Sequence, residues 1–229
     1  MHTRQSVSAL YRDSYAEIYE KLYVDPWPEK HQINLKLLQL ILRDLPASGQ
    51  WLDLCCGQAW HFSHVNSTLT KIGVDLSESQ LKRAAARNPD ASFICADVTE
   101  VEFPMKSFAL ITSFWGAYCY LDDENAIIKL VEKAMSWIQP GGALYIEVLP
   151  PESLASFNAS PYAKHTGFQV APRTPDYRAW SYEDHAGVHL MKSPPLDSFV
   201  TLFQKHFERV NWIPTGFMVN LLGRNRRGL

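Results

Sequence analysis

No apolar run in these 229 residues approaches the roughly 18 that a membrane-crossing helix needs, so no such helix is expected. Met1-His2-Thr3-Arg4-Gln5-Ser6 at the start lacks the apolar stretch of a secretory signal. Positive charge is not in excess either. With 22 Lys and Arg against 24 Asp and Glu, the formal charge is −2, and no broad basic field favours nucleic acid or an anionic membrane surface. The terminal Arg224, Arg226 and Arg227 read as a solvated tail rather than a phosphate site. Cysteine is scarce: Cys55, Cys56, Cys95 and Cys119 lack metal-ligand spacing and are expected as reduced, buried thiols of a cytoplasmic protein. Internal repeats and low-complexity segments are missing as well. What is present is a hydrophobic fraction of 46%, enough for one sizeable core carrying an insertion.

The stretch Gln50 to Phe62 organises the rest. Trp51-Leu52-Asp53-Leu54-Cys55-Cys56 is an apolar run suited to a strand of a parallel sheet, buried on both faces. Gly57 follows, where positive φ or close approach to a ligand is easiest, and a helix starts near residue 59. Lys71 to Leu76 reads as a second strand ending on Asp75, twenty-two residues beyond Asp53. An acid so placed after a glycine turn suits hydrogen bonding to ribose hydroxyls. Ser77 with Gln80 forms a capping box for the next helix. Further strands are expected at 92–97, ending on Asp97, at 108–115, and after the Pro140-Gly141-Gly142 turn.

Asp53-x-Cys55-x-Gly57-x-Ala59 resembles motif I of the class I S-adenosylmethionine (SAM)-dependent methyltransferases, with Cys55 and Ala59 in place of two glycines. The ordered strands extend the resemblance over about residues 50–149. It implies SAM as cofactor, with Asp53, Cys55, Gly57 and Ala59 at the turn, and Asp75 and Leu76 at the ribose. It also implies Asp97 and Val98 at the adenine. The expected fold is α/β: a Rossmann-like seven-strand methyltransferase sheet with helices on both faces, a terminal antiparallel hairpin and an inserted cap. The implied reaction is methyl transfer to an N or O atom of a small molecule, and the ring-rich segment after the fifth strand points to one that is apolar or aromatic in part.

Residues 6–23 read as a helix carrying Tyr11, Tyr15 and Tyr19 on one face. That stripe is either packing surface or, as the resemblance implies, a lid over the cofactor bearing Tyr11 and Tyr15. Asp25-Pro26-Trp27-Pro28 breaks the chain before a second helix marked by Ile33 to Leu45. The chain thus divides into N-terminal lid helices (1–46), a SAM-binding core (47–149), a substrate cap (150–195) and a final helix with hairpin (196–229). In the cap, Phe157, Tyr162, Phe168, Tyr177, Trp180 and Tyr182 are too many rings for disorder, and 177–183 pairs with 187–192 as a hairpin. Phe114 and Trp115, at the end of the fourth strand, are placed to line cofactor or substrate.

A base is needed only where the acceptor atom must lose a proton, and histidine is the usual choice near neutral pH. His165 and His185 in the cap are the candidates, with His189 weighed beside them and His61 placed near the methionine end of the cofactor. Trp115-Gly116 and Leu149-Pro150 stand where metal-dependent catechol-type enzymes carry carboxylates, so no catalytic metal is expected. Two rivals remain: a non-catalytic SAM-binding regulatory or partner protein, and a nicotinamide-dependent oxidoreductase, against which the single Gly57 weighs.

Overall fold

The structure, a computed structural model, describes residue 11 and residues 13–184 and 187–228. The candidate His185 lies outside the described residues. Helix α1 spans Asp13–Tyr23 and α2 spans Pro28–Asp44. The second helix begins five residues earlier than the apolar pattern suggested. Pro28 occupies its first turn, where the missing N–H costs nothing and the fixed φ suits a helix start.

Strand and helix then alternate: β1 Gln50–Leu54, α3 Trp60–His64, β2 Thr70–Asp75, α4 Glu78–Arg87, β3 Ser92–Cys95, β4 Phe108–Ser113, α5 Glu124–Trp137 and β5 Ile138–Val148. The cap holds short helices α6 Pro151–Leu154 and α7 Pro161–Thr166, then β6 Gln169–Pro172, β7 Ala179–Asp184 and β8 Gly187–Lys192. Helix α8 Leu196–His206 leads into β9 Phe207–Thr215 and β10 Met218–Arg226. The main sheet has seven strands in the order β3-β2-β1-β4-β5-β10-β9. Strands β1 to β5 pair in parallel, whereas β10 is antiparallel to β5 and β9. The terminal hairpin is longer than the apolar stretches at 210–213 and 217–222 indicated. Pro214 is tolerated because β9 is an edge strand, with one side free of ladder bonds.

Alternation along the central strands divides the core. Trp51, Leu110 and Tyr145 pack with Leu38 and Ile41 of α2 and Phe62 of α3. Their neighbours Leu52, Ile111 and Leu144 face Ile127 and Val131 of α5 and Phe199 of α8. Successive side chains of a strand point to opposite faces, so each of these strands feeds two helical layers. The cysteines are free; Cys119 is buried and Cys55 and Cys56 half-buried. Cys95 is exposed, against the expectation for it, because β3 is the other edge of the sheet. Among the described residues no helix is long and apolar enough to cross a membrane.

The cap adds a separate three-stranded antiparallel sheet, β6-β7-β8. The expected hairpin is present as β7 and β8, with Tyr182 opposite His189. Strand β6 is the unexpected member, and it joins β7 on the side away from β8.

Candidate active site

The strand order reverses between β1 and β4, and a cavity of about 250 Å³ opens beside the carboxyl ends of these strands. Such a reversal leaves a crevice outside the strand ends, because the crossovers on either side run in opposite directions.

The turn after β1 shapes one wall. Cys55, Gly57 and Ala59 all have positive φ, at 55°, 52° and 49°. These are the three alternate positions of the glycine motif. All three therefore take the left-handed backbone conformation even though two carry a Cβ, at a local conformational cost of about 1 kcal/mol each. The Gly57 N–H donates to Asp75 Oδ2 at 2.8 Å, and the Ser77 N–H to Oδ1 at 2.9 Å. Asp75 thereby ties the first turn to the start of α4 while each oxygen retains a lone pair. Ser77 Oγ also accepts the Gln80 N–H at 3.3 Å. The reciprocal arm of the expected capping box is absent, because the Ser77 N–H is already used by Asp75. The Gln80 side-chain amide instead lines the cavity, with neither Oε1 nor Nε2 hydrogen-bonded among the described residues.

Asp53 is buried beneath this turn and accepts the Thr112 hydroxyl at 2.6 Å, while Trp51 Nε1–H donates to the same Thr112 oxygen. Burial pushes the Asp53 carboxyl up to about 8, despite the hydrogen bond from Thr112. Asp97 lies just beyond β3, where Oδ1 accepts from the Thr99 N–H and hydroxyl at 2.8 and 2.6 Å.

Of the residues singled out from sequence, Tyr11, Asp53, Cys55, Gly57, Asp75, Leu76, Asp97, Val98, Phe114 and Trp115 line the cavity. Tyr15 and Ala59 stand behind it: Ala59 is the buried residue preceding α3, and Tyr15 donates its hydroxyl to Asp184 Oδ2 at 2.6 Å. His165 is exposed on α7 and is not part of the lining. Five of the six cap rings do line it, namely Phe157, Tyr162, Phe168, Trp180 and Tyr182; Tyr177 does not.

Two groups were not found from sequence. Lys30 of α2 is fully buried against Glu147 near the end of β5, with Nζ 2.6 Å from Oε1 and 2.8 Å from Oε2. Glu147 also accepts the Asn34 amide at 2.9 Å and the Trp115 N–H at 2.6 Å. Lys30 Nζ sits 3.9 Å from the centre of the Trp115 ring. An acid inside Leu144-Tyr145-Ile146-Glu147-Val148 was a readable sign that a buried partner existed, since an unpaired buried charge is costly. The second is His31, which lines the cavity and uses Nε2 to reach the Tyr23 carbonyl at 3.1 Å. A carbonyl only accepts, so Nε2 carries the proton and Nδ1 is a bare acceptor, unpartnered among the described residues. Burial holds His31 down at about 4, with Lys30 adding to the effect, so the ring is neutral near pH 7.

Residues 52–142 match the family model of a methyltransferase domain. A dTDP-3-amino-3,6-dideoxy-alpha-D-glucopyranose N,N-dimethyltransferase from Streptomyces fradiae is 24% identical over 138 residues, 60% of this chain and 54% of that protein. The chain therefore spans about half the length of that relative. Among solved structures, DesVI of Streptomyces venezuelae has a TM-score of 0.68 at 20% identity, covering 92% of this chain and 98% of the other. A SAM-bound amino pentose methyltransferase from Micromonospora echinaspora has a TM-score of 0.60 at 16% identity, covering 86% and 91%. Those two similarities are of fold. Residues 52–142 are thus similar to a methyltransferase domain, and the seven-strand sheet that carries them has the fold of those two methyltransferase structures.

Proposed function

We propose that this chain is a SAM-dependent methyltransferase acting on an N or O atom of a small molecule. The observation that carries the reading is the turn at Gly57 bound to Asp75, opening at the strand reversal onto an aromatic cavity. The lining fits SAM. Asp75 keeps lone pairs for ribose hydroxyls, Asp53 is a buried acid for a cationic ligand, and the Gln80 amide and His31 Nδ1 are unpartnered polar atoms facing the cavity. Bound there, SAM supplies an electrophilic methyl group on a sulfonium. The protein's part is to hold the acceptor atom in line with that methyl and keep water out, and alignment alone lowers a barrier by up to roughly 7–11 kcal/mol.

Ring-rich walls from the cap favour an acceptor that is apolar or aromatic in part. The described lining carries Asp53, Asp75, Asp97 and Asp122 but no lysine or arginine. A diphosphate such as that of the sugar-nucleotide relative's substrate therefore meets no cationic side chain among the described residues. Equilibrium binding of SAM and NAD, followed by a methyl-transfer screen over aromatic amines, phenols and dTDP-amino sugars, tests the reading. Tight SAM binding with no acceptor methylated would favour a regulatory binding protein, and NAD binding alone a dehydrogenase.

SAM binding is expected to release close to one proton at pH 7. Asp53 is mostly protonated there, its carboxyl lying at about 8, and a cation brought beside it favours the ionised form. Affinity accordingly rises with pH up to about 8. Calorimetry in buffers of different ionisation enthalpy measures the release, and the Asp53→Asn protein should show none. The same shift carries a stability cost: the contribution of Asp53 is complete below its unfolded value and is lost as pH rises towards 8.

Phe168→Leu is expected to raise the acceptor KM by about 5- to 10-fold, corresponding to roughly 1–1.5 kcal/mol of aromatic contact, with SAM affinity within twofold. Phe168 lines the cavity from the cap, whereas Tyr177→Ala should leave both constants nearly unchanged. Equal effects of the two substitutions on KM would mean that the cap rings pack only on one another.

A further inference from the structure

A chain of hydroxyls joins the cavity to a buried acid and imidazole in the cap. Asp184, at the end of β7, accepts from His189 Nε2 at 2.8 Å across the β7-β8 hairpin, and both side chains are fully buried. Because a carboxylate oxygen accepts there, the ring proton is on Nε2 and Nδ1 is an acceptor. Nδ1 takes the Tyr120 hydroxyl in a hydrogen bond. With its proton so committed, Tyr120 Oη accepts from the hydroxyls of Tyr11 and Tyr182, each at 2.9 Å. Tyr11, Tyr120 and Tyr182 all line the cavity, and the His189 ring is stacked on Tyr182 with centroids 4.1 Å apart.

We propose that Tyr120, His189 and Asp184 form a proton relay whose cavity end, the hydroxyls of Tyr11 and Tyr182, takes the proton lost by the acceptor atom during methylation. The proposal rests on the methyltransferase reading above and names the base which that reading left open. In the step, the acceptor atom bonds to the methyl carbon while the C–S bond gives its electron pair to sulfur. The acceptor's proton passes to Oη of Tyr11 or Tyr182, that tyrosine's proton to Tyr120, and the Tyr120 proton to His189 Nδ1. The positive charge of the sulfonium is lost as it becomes a neutral thioether, and one appears as imidazolium, paired with Asp184.

The groups around His189 support this direction. From α1, Tyr15 donates to Asp184 Oδ2 at 2.6 Å, and Tyr23 lies 2.7 Å from the Tyr15 hydroxyl and 3.3 Å from the same carboxylate oxygen. From the 117–120 turn comes Tyr120, and from β7 come Tyr182 and Asp184. Asp184 is thus the one carboxylate on which these hydrogen bonds converge, and it is placed to stabilise an imidazolium more than a neutral ring. Burial raises Tyr11 and Tyr120 well above the usual phenol range, so both pass protons as neutral hydroxyls rather than resting as phenolates. The alternative is that the cluster only fastens α1 to the cap. That role predicts losses of stability and cofactor affinity without a change in proton handling.

The test uses the 229-residue chain saturated with S-adenosylhomocysteine and 4-nitrophenol as probe, whose phenol and phenolate absorb at different wavelengths. The wild-type protein at pH 6 should bind the probe as phenolate while nitrogen NMR shows His189 becoming imidazolium. Tyr120→Phe and His189→Gln, checked for an unchanged melting profile, should bind it as neutral phenol, with at least a tenfold smaller phenolate fraction. With an accepted substrate, His189→Gln should lower kcat about 100-fold, leave KM within threefold and remove the acid limb of the pH profile. An unaltered phenolate fraction in both variants overturns the relay. Should the probe not bind, the tautomer of His189 in the probe-free protein decides: a proton on Nε2 with Nδ1 responding to Tyr120→Phe supports it, and a proton on Nδ1 overturns it. SAM binding, measured alongside, tests the functional reading separately. Its absence in the wild type would sink that reading while leaving the tautomer result standing.

Discussion

Asp75→Ala is expected to weaken SAM binding by tenfold to a hundredfold. A hydrogen bond to a charged acceptor contributes about 1.5–3 kcal/mol, and each 1.4 kcal/mol is a factor of ten in affinity. Two effects act together. The ligand loses a carboxylate at the end of β2, and the Gly57 and Ser77 N–H groups lose the oxygens that hold them at 2.8 and 2.9 Å. The turn whose three residues sit at positive φ is then less firmly held. Asp75→Asn separates the two effects, since its carbonyl oxygen still takes one of the two N–H groups. Calorimetry on both folded variants measures the loss. Unchanged affinity in Asp75→Ala would remove Asp75 from the cofactor site.

The position of Asp75, at a strand end beside the Gly57 turn, was legible because everything it needs is local. An apolar run, one glycine and an acid at the next strand end each carry a physical meaning that survives without neighbours. The same holds for the order of the first five strands and for the β7-β8 hairpin. The matched conformations of Cys55 and Ala59 were not legible. A cysteine or alanine gives no sign of positive φ, and only the backbone shows that these positions take the left-handed conformation.

Longer-range pairings were hidden for a different reason. Lys30 and Glu147 are 117 positions apart, and their contact depends on where α2 lies on the sheet. His189 does not stand apart from the other cap histidines in sequence, because its contacts depend on hairpin register. That register sets Tyr182 opposite His189 and carries Asp184 to the end of the ladder, opposite Gly187. Composition marked the cap as folded but did not show that β6, which ends on Pro172, would complete a third strand.

Lys30→Met is expected to destabilise the protein by about 3–5 kcal/mol, since removing one partner leaves the other buried and charged. Glu147 has no exposed surface, so solvent does not replace the ammonium. The Asn34 and Trp115 donors remain, but they supply two hydrogen bonds and no positive charge. For a chain of this size the loss corresponds to roughly 6–20 °C in melting temperature. Glu147→Gln should cost less than Lys30→Met. Burial already lowers the Lys30 pKa, so the amine has a shorter way to go to become neutral. Lys30→Met with Glu147→Gln should recover part of the single-mutant loss, because no charge is then buried, and a double-mutant cycle measures the coupling. The pair also reaches the cavity: Lys30 lies over the Trp115 ring, and Glu147 holds the Trp115 backbone. Weakened ligand binding should therefore accompany the stability loss in Lys30→Met. A change below 1 kcal/mol would mean that the Lys30–Glu147 pair adds little net stability.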